Sequence, residues 1–313
     1  MEYNTTVSEH EPIAITIGNF DGVHRGHQRL MRELAATAQQ VGAKPVMLTF
    51  TPHTLMVVKP DLDVRYITSL EEELALTRRY GGIADSIVLH FTREVAALSA
   101  ETFLDNLRAH FQVKALLVGA NFSLGHNRMG NTTFLEQYGE QHGIAVRVVP
   151  LTEADETRIS STRIRTLVSE GRVAEANELL GHPVVMSGVV RHGDGRGRLL
   201  GFPTANMIPD PHRLLLANGI YATYVHLHAI ARDEEEDSPV YMGAANIGIR
   251  PMFESKERLV EVYILDIDQD LYDQHITVDF IARLRNEERF DSIEALKSQM
   301  ALDVENTRQV LQK

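Results

Sequence analysis

The 313-residue sequence contains no cysteine. A disulfide, a thiolate nucleophile and a cysteine-ligated zinc site are therefore excluded, and a reducing compartment is consistent with this composition. No apolar run is long enough to span a bilayer, and the first dozen residues, which carry acids and no apolar core, do not resemble a signal peptide. We therefore expect a cytoplasmic protein without a membrane partner.

Basic residues are in deficit. The 31 lysines and arginines face 43 acidic side chains, which gives a formal net charge of −12. A surface that binds nucleic acid through its phosphates needs clustered basic residues, so we expect no nucleic-acid partner. A Gly-Lys dipeptide is also absent, which excludes a Walker loop. Any phosphate site must therefore be built from a few local residues and not from a general basic surface.

With 43% hydrophobic and 24% charged residues, the sequence has the composition of an ordinary globular protein. A chain of this length favours two domains, each with its own apolar core. The sequence pattern changes after Pro183. We therefore predict domains 1–182 and 183–313.

Short β-branched runs alternate with amphipathic stretches between Ile13 and Val149. The nearly all-apolar runs IAITIG, PVMLTF, SIVLHF, ALLVGA and IAVRVV are typical of parallel strands with helices on both faces. Ser99 is a candidate N-cap for a helix that continues through Phe111. The first half therefore predicts a doubly wound, Rossmann-like α/β domain.

The second half predicts a small antiparallel β-barrel followed by a terminal helix. The runs VVMSGVV, GIYATYVHLHAI, PVYMGAANIG, LVEVYILDI and HITVDFIA are rich in β-forming residues and are separated by turns. Before them, one helix begins at Ser160 and another ends at Leu180. After them, Asp291 and Glu294 have the spacing of a capping box. The apolar stripe of this last helix, expected to pack in the core, is Ile293, Leu296, Met300 and Val304.

The segment GNFDGVHRGHQRL follows the first predicted strand and precedes a helix. Doubly wound sheets bind ligands at this position, where the helix N-terminus attracts phosphate. His24 and His27 are three residues apart, so both imidazoles can face one phosphate. For an isolated pair, capping of the helix or adventitious metal binding would be the favoured interpretation.

A second phosphate-binding segment is ISSTRIR. Its Ser161 and Thr162 can offer hydroxyls and helix-start amides to a phosphate, with Arg165 one turn along. Standing alone, this segment would be interpreted as an ordinary N-cap followed by a surface arginine.

The segment RHGDGRGRLLGFPTANM brings a glycine run into the second half. Pro203 follows too soon for the long helix that a dinucleotide-binding turn needs, so a Rossmann fingerprint is excluded here. Taken singly, Thr204 and Asn206 could simply shape a turn, and Glu261 could be an exposed strand residue.

As an ordered set, these segments resemble the bacterial bifunctional riboflavin kinases and FAD synthetases. GxFDGxHxGH resembles their adenylyltransferase module, and GRxLGFPTAN with NGIYA, NIGIRPMF, LVEVYILD, LYDQ and RLRNEERFDS resembles their kinase module. The resemblance runs from Ile13 to Leu311. It implies phosphorylation of riboflavin to FMN with ATP, and then adenylylation of FMN to FAD with a second ATP and release of pyrophosphate.

The resemblance implies roles for residues of the adenylylation half. His24 and His27 would stabilise charge on the phosphates. VGANFSLGHNRMGN would bind flavin and nucleotide, with Asn121 and Arg128 contacting the flavin. Contacts to ATP and its phosphates would come from Gly18, Phe20, Asp21, Gly26, Ser161, Thr162 and Arg165.

In the kinase half, the resemblance implies that Glu261 takes the proton from the ribityl 5′-hydroxyl. Thr204 and Asn206 would hold Mg²⁺ with the ATP phosphates, because hard cations prefer oxygen ligands. The expected small-molecule partners are riboflavin, FMN and ATP, with Mg²⁺ as cofactor and FMN and FAD as products. The glycines that would let a loop close over the phosphates are Gly193, Gly195 and Gly197.

Four positions depart from the commonest family pattern, namely Asn121, Asn131, Met252 and Asp273. Three other interpretations stay open at this point: an enzyme with one active half, a flavin-responsive binding protein, and a relative of class I aminoacyl-tRNA synthetases. The last is weakest, since the chain lacks a KMSKS-type signature and a basic tRNA surface.

Overall fold

A computed structural model describes residues 1–8, 11–150, 159–193, 195–228, 230, 239–251 and 256–312. The chain divides into two compact units. The first contains Met1–Tyr66 and Glu73–Ser160, and the second contains Ile67–Glu72 and Ser161–Lys313. None of the helices in the described ranges has the length and hydropathy that a membrane crossing requires.

The first unit is built on a six-stranded sheet of order β1-β4-β3-β2-β5-β6. Its strands are β1 (Tyr3–Thr5), β2 (Pro12–Ile17), β3 (Lys44–Thr51), β4 (Asp85–His90), β5 (Gln112–Gly119) and β6 (Ala145–Val149). Every pairing is parallel except that of β1 with β4. The predicted strands and the doubly wound order are confirmed, whereas the short polar β1 carries no apolar run and is found only in the structure.

Helices connect the parallel strands of this sheet. They are α1 (Arg25–Gln40), α2 (Thr54–Val58), α3 (Leu70–Leu76), which continues as a π-helical turn (Thr77–Gly81), α4 (Arg93–Ala96), α5 (Ala100–His110) and α6 (Thr132–His142). Ser99 caps α5 as predicted, since its Oγ accepts from the Thr102 N–H at 3.0 Å. The buried face of α1 includes Met31, Leu34 and Ala38.

The second unit contains a closed antiparallel barrel of order β10-β11-β8-β7-β12-β9. Its strands are β7 (Val184–Arg191), β8 (Thr204–Met207), β9 (Gly219–His226), β10 (Val240–Pro251), β11 (Lys256–Ile264) and β12 (His275–Arg285). The predicted barrel is confirmed. The sequence allowed Thr204 and Asn206 to shape a turn, but both belong to β8, which pairs with β7 and β11.

Two helices precede the barrel and pack with it. In α7 (Ser161–Ser169) and α8 (Val173–Leu180), the side chains of Ile164, Leu167 and Ala176 belong to one hydrophobic core with the barrel interior. Asn177 ties α8 to the barrel, because it donates to the Phe280 carbonyl at 2.8 Å and accepts from the Val184 N–H at 2.7 Å. The predicted boundary after residue 182 concerns the division of activities and stays a prediction.

The second unit also contains a short helix, α9 (Arg196–Leu200), and the terminal helix, α10 (Ile293–Leu311). The N-cap of α10 differs from the predicted one. The assignment of the cap to Asp291 is wrong. Ser292 has extended dihedrals, and its Oγ accepts from the Ala295 N–H at 3.1 Å. The helix therefore starts with the residue after this hydroxyl, which satisfies one of the first unpaired N–H groups.

Replacing Asn177 should destabilise the second unit. In Asn177→Leu the Phe280 carbonyl and the Val184 N–H both lose a partner, and each buried group left unsatisfied costs about 1–3 kcal/mol. We expect the free energy of unfolding to fall by roughly 2–4 kcal/mol, measured by urea titration with circular dichroism. Glu178→Leu, at the exposed next position of the same helix, is the control; an equal loss there would contradict the bridging role.

Candidate active sites

The first candidate site lies where the strand order of the sheet reverses. β2 pairs with β3 on one side and with β5 on the other, and the chain leaves β2 for α1 through residues 18–24. Open α/β sheets bind ligands in the crevice at this point. The structure therefore places the GNFDGVHRGH segment where the sequence predicts it.

A tight turn directs this segment into α1. The Val23 N–H donates to the Phe20 carbonyl at 2.7 Å, and Gly22 has a φ of 81°. Val23 has a φ of 39°, which a β-branched residue rarely adopts. Such strain amounts to about 1–3 kcal/mol and is concentrated at functional sites. It is held here by burial of Val23 and by the Gln28 side chain, which binds the Val23 carbonyl at 2.8 Å.

The turn sets His24 and His27 side by side. Their rings stack with centroids 3.6 Å apart and planes 19° apart. His24 is also the N-cap of α1, because its Nδ1 accepts from the His27 backbone N–H at 3.3 Å. Since Nδ1 is the acceptor, a neutral His24 carries its proton on Nε2. His24 can therefore cap α1 through Nδ1 and still present its Nε2–H group as a hydrogen-bond donor.

His27 is held in its neutral form. Burial, and next the neighbouring His24, keep the pKa of His27 well below its usual range. Its Nδ1 is buried and has no hydrogen-bond partner within the described residues. A neutral imidazole offers one N–H donor and one acceptor instead of a fixed charge. His27 can therefore donate a hydrogen bond to a phosphate oxygen while remaining uncharged.

Two glycines and an aromatic ring shape the space around the imidazoles. A Cβ on Gly18 would lie 3.2 Å from the Phe20 ring, and a Cβ on Gly26 would lie 3.2 Å from His24 Cε1. The buried Phe20 ring meets His27 edge-on, with centroids 5.2 Å apart. Phe20 thus contacts His27, Gly26 lies against His24 and Gly18 lies against Phe20, and the contacts of these three residues to ATP stay predictions.

A carboxyl that sequence reasoning missed contacts the same turn. Glu73 accepts from Thr49 Oγ1 at 2.5 Å and from the Phe20 backbone N–H. Burial is the main cause that raises the pKa of Glu73 to about 8, and the nearby Asp21, itself buried, adds to the rise. In the sequence Glu73 lies in an acidic run, and such runs usually face solvent. Glu73 is therefore mostly protonated at neutral pH.

The other predicted residues of the first unit lie between β5 and α6. Arg128 is exposed, has a φ of 59° and donates from Nε to Ser123 Oγ at 2.7 Å. Asn131 caps α6, since its Oδ1 accepts from the Phe134 N–H at 3.0 Å. Asparagine caps a helix as well as an acid does, so this departure preserves the local structure. The exposed Asn121 and Arg128 keep their flavin-binding roles as predictions.

Ser161, Thr162 and Arg165 lie in the first turns of α7, which belongs to the second unit. The helix predicted to begin at ISSTRIR is confirmed. A helix start presents backbone N–H groups that suit a phosphate. The contact of these residues with ATP stays a prediction.

The second candidate site lies on the outward face of the barrel wall. Along β8, Ala205 is buried in the barrel, while Thr204 and Asn206 alternate with it and face outward. Asn206 of β8 lies opposite Glu261 of β11, and Thr204 of β8 lies opposite Tyr263 of β11. Residues opposite each other in antiparallel strands share a face. The pairing therefore brings together the three residues that the sequence predicts for this site.

Thr204, Asn206 and Glu261 line one cavity of about 500 Å³, a size that suits a small-molecule ligand.

The expectation that the apolar stripe of the terminal helix packs in the core is wrong. Ile293, the first residue of α10, is 62% exposed. The other residues of the stripe form part of the cavity wall, namely Leu296, Met300 and Val304.

An ion pair holds the terminal helix to the barrel. Arg285 at the end of β12 donates to both carboxylate oxygens of Asp303 in α10, at 2.8 and 2.7 Å. Asp303 is buried and Arg285 is half-buried. The hydrogen bonds to Asp303 raise the pKa of Arg285 further. This bidentate pair fixes the helix that closes one side of the cavity.

The three predicted loop glycines are required for different reasons. A Cβ on Gly193 would lie 2.8 Å from Asn206 Nδ2, so this position must be bare for Asn206 to keep its place. Gly195 has a φ of 68° and open space around it. A Cβ on Gly197 would collide with the Phe202 carbonyl, which belongs to the same loop.

The oxygen atoms of this site fit a magnesium ion. Among the described residues there is no group of three or more His, Cys, Asp or Glu side chains that could hold a metal. Asn206 Nδ2 donates to the Thr204 carbonyl at 3.1 Å, so Asn206 Oδ1 and Thr204 Oγ1 are the atoms available to a cation. Magnesium commonly takes few protein ligands and completes its shell with phosphates and water.

Two of the departures from the family pattern fall in the second unit. Asp273 has a φ of 61°, at a position where the family usually has glycine, and aspartate tolerates this conformation better than most residues. Its Oδ1 accepts from Arg191 Nη1 at 3.3 Å. Met252 lies outside the described residues.

Comparison with known proteins matches two family models to successive parts of the chain. The family model for FAD synthetase matches residues 6–163, and the model for riboflavin kinase matches residues 180–311. A bifunctional riboflavin kinase/FMN adenylyltransferase of Escherichia coli K12 is 36% identical over 302 residues, 96% of this chain and 93% of that protein. The protein of the same description from Listeria monocytogenes is 33% identical over 296 residues, with 94% and 91% covered.

A solved structure has the same fold over nearly the whole chain. It is described as a macrolide-efflux protein from Streptococcus pneumoniae. The TM-score is 0.82 and the identity is 30%, with 95% of this chain and 94% of that chain covered.

Glu73 should make the stability of the first unit depend on pH. Between pH 4.5 and about 8 the folded carboxyl keeps a proton that the unfolded one has released, so the unfolding free energy falls as pH rises. Glu73→Gln keeps an acceptor for Thr49 and cannot ionise. Relative to this variant, the wild type should lose up to about 1.4 kcal/mol for each pH unit.

Urea unfolding at several pH values, followed by circular dichroism because the chain has no tryptophan, measures this difference. Glu71→Gln, exposed on the same helix, is the control and should follow the wild type. Parallel stability curves for Glu73→Gln and wild type from pH 5 to 8 would contradict the protonated state of Glu73.

Proposed function

We propose, because the chain belongs to the family of bifunctional riboflavin kinases/FMN adenylyltransferases, that its two sites divide the two reactions of that family between them. The enzyme phosphorylates riboflavin to FMN and adenylylates FMN to FAD. The observation that carries our assignment is that Glu261, distant along the chain from Thr204 and Asn206, lines one cavity with both. The efflux description of the Streptococcus pneumoniae structure is not transferred, because both family models and the curated relatives agree on flavin chemistry.

Adenylylation takes place at the turn between β2 and α1. The FMN phosphate is already an anionic nucleophile, so it attacks the α-phosphorus of ATP without a general base, and pyrophosphate leaves. Binding and alignment of the two phosphates are then the main tasks of the protein. His24 and His27 donate hydrogen bonds to the oxygens on which charge develops. Ser161, Thr162 and Arg165, at the start of α7, are further proposed contacts of ATP phosphates.

Phosphorylation of riboflavin takes place in the cavity on the barrel wall. Its nucleophile is a neutral alcohol, which gives a positioned carboxylate a task. Glu261 takes the proton of the ribityl 5′-hydroxyl as that oxygen bonds to the γ-phosphorus, and ADP leaves. Thr204 Oγ1 and Asn206 Oδ1 hold Mg²⁺, which neutralises charge on the ATP phosphates when it is bound.

Riboflavin, FMN and ATP are the proposed small-molecule partners, and the proposed place of work is the cytoplasm, where ATP supplies both steps. The predicted boundary after residue 182 assigns the N-terminal part of the chain to adenylylation and residues 183–313 to phosphorylation. Support for this division comes from the two family models, of which one ends at residue 163 and the other begins at residue 180.

Single substitutions should separate the two reactions. Glu261→Gln should lower FMN formation from riboflavin by roughly 10²–10⁴-fold, the usual contribution of a positioned base. Conversion of supplied FMN to FAD should stay unchanged. His27→Ala should have the opposite effect, so that FMN accumulates and FAD formation falls.

Chromatography of the flavins over time, with riboflavin or FMN, ATP and Mg²⁺, measures both outcomes. Each variant serves as the folding control of the other. Loss of both reactions in a correctly folded Glu261→Gln protein would contradict the division into two sites.

Gly193 should affect the Mg²⁺ requirement of FMN formation, because it leaves room for the Asn206 side chain. In Gly193→Ala the added methyl displaces the Asn206 amide, so the Mg²⁺ concentration for half-maximal FMN formation should rise several-fold. Gly195→Ala is the matched control, since its methyl enters open space and strains only the backbone, by about 1–2 kcal/mol. An equal Mg²⁺ requirement in the two variants would contradict the steric role of Gly193.

A further inference from the structure

Asn246 extends the row of polar side chains on the barrel wall. It pairs with Glu261 across β10 and β11, and Glu261 pairs in turn with Asn206 of β8. Directly opposite residues of antiparallel strands project from the same face, and all three side chains line the same cavity. The row is therefore amide, carboxylate, amide, with Glu261 in the middle.

The amide nitrogen of Asn246 has a hydrogen-bond partner, whereas its amide oxygen has none among the described residues. Its Nδ2 donates to Glu261 Oε2 at 3.4 Å. Its Oδ1 is buried and has no hydrogen-bond partner within the part of the chain that the structure describes. A buried acceptor left without a donor costs about 1–3 kcal/mol. A ligand that brings a hydroxyl group into the cavity would satisfy it.

The orientation of this amide follows from its neighbour. A carboxylate accepts hydrogen bonds and cannot donate them, so only the NH₂ end of Asn246 can pair with an ionised Glu261. The long distance of 3.4 Å is typical of catalytic hydrogen bonds without substrate, which tighten in the reacting complex. The carbonyl end is then fixed on the side of the amide away from Glu261 Oε2.

A second acceptor lies beside Asn246. A Cβ on Gly248, two residues further along β10, would collide with Glu287 Oε1 and would lie 3.5 Å from Asn246 Nδ2. The Glu287 carboxylate is held there by Asn218 Nδ2 at 2.8 Å. Successive acceptors along one strand face suit a polyol, which offers several hydroxyl donors in a row.

We propose that Asn246 binds the ribityl chain of riboflavin and positions Glu261 for the phosphorylation step. Its N–H group holds Glu261 Oε2, so that Oε1 is left to take the proton from the 5′-hydroxyl as that oxygen bonds to the γ-phosphorus. Its carbonyl accepts a hydrogen bond from a secondary hydroxyl of the same chain. This inference rests on the proposed role of Glu261.

Two substitutions of Asn246 separate its two contacts. Asn246→Ala removes both, so kcat for FMN formation should fall and the KM for riboflavin should rise, each roughly tenfold, as for loss of a hydrogen bond to a charged or buried partner. Asn246→Asp keeps the acceptor for the polyol and loses the donor to Glu261. Its kcat should fall at least as far, while its KM for riboflavin should stay within about twofold of the wild-type value.

The full-length chain supplies the controls. Asn286→Asp adds the same charge at an exposed position of the second unit and should leave FMN formation unchanged. The KM for ATP and the conversion of FMN to FAD should stay at wild-type values in both Asn246 variants. A general disturbance of the barrel would change the KM for ATP as well.

The Glu261→Gln variant distinguishes failure of this inference from failure of the function on which it rests. If Glu261→Gln keeps wild-type FMN formation, the base assignment fails and the inference fails with it. If Glu261→Gln is inactive but Asn246→Ala keeps wild-type kcat and KM, the base stands and the role of Asn246 is overturned. Equal rises of both KM values in Asn246→Asp would also overturn it.

Discussion

The register between β8, β11 and β10 is the constraint on which the proposed kinase site depends. Side chains alternate between the two faces of a strand, so a shift of one residue would turn Asn206, Glu261 and Asn246 into the barrel core and bring Ala205, Val262 and Ala245 outward. The apolar interior opposes that shift, because it would bury a carboxylate and expose aliphatic groups. Core packing of the barrel therefore fixes the geometry of the polar row, and closure of the barrel leaves no edge at which these strands can slide.

In the first unit, the corresponding constraint is burial around the turn between β2 and α1. Low solvation keeps His27 neutral and Glu73 protonated, so neither of these two groups adds a charge next to the turn. The N–H groups of the helix start favour a phosphate there. The strained Val23 is tolerated because it is buried and because the Gln28 side chain holds its carbonyl.

Periodicity and order along the chain predict most of the fold. The five parallel strands and the barrel follow from runs of apolar and β-forming residues, and caps such as Ser99 follow from local chemistry. Prediction fails where the deciding contact is distant along the chain. β8 is too short to show a period, and Glu73 looks like a surface residue until Thr49 and Phe20 are brought to it. The apolar stripe of α10 has helical spacing whether it faces a core or a cavity, and Asn246 has no signal of its own without the register to Glu261.

The two sites differ because their nucleophiles differ. In the proposed adenylylation site the FMN phosphate arrives as an anion, so neutral donors and a helix dipole are sufficient, and a protonated Glu73 adds no negative charge beside it. A ribityl hydroxyl arrives neutral and becomes a better nucleophile only as its proton leaves, so the barrel presents an acidic side chain flanked by amides that can hold it without neutralising it. In this proposal, the amide neighbours of Glu261 serve the second reaction as the neutral His27 imidazole serves the first.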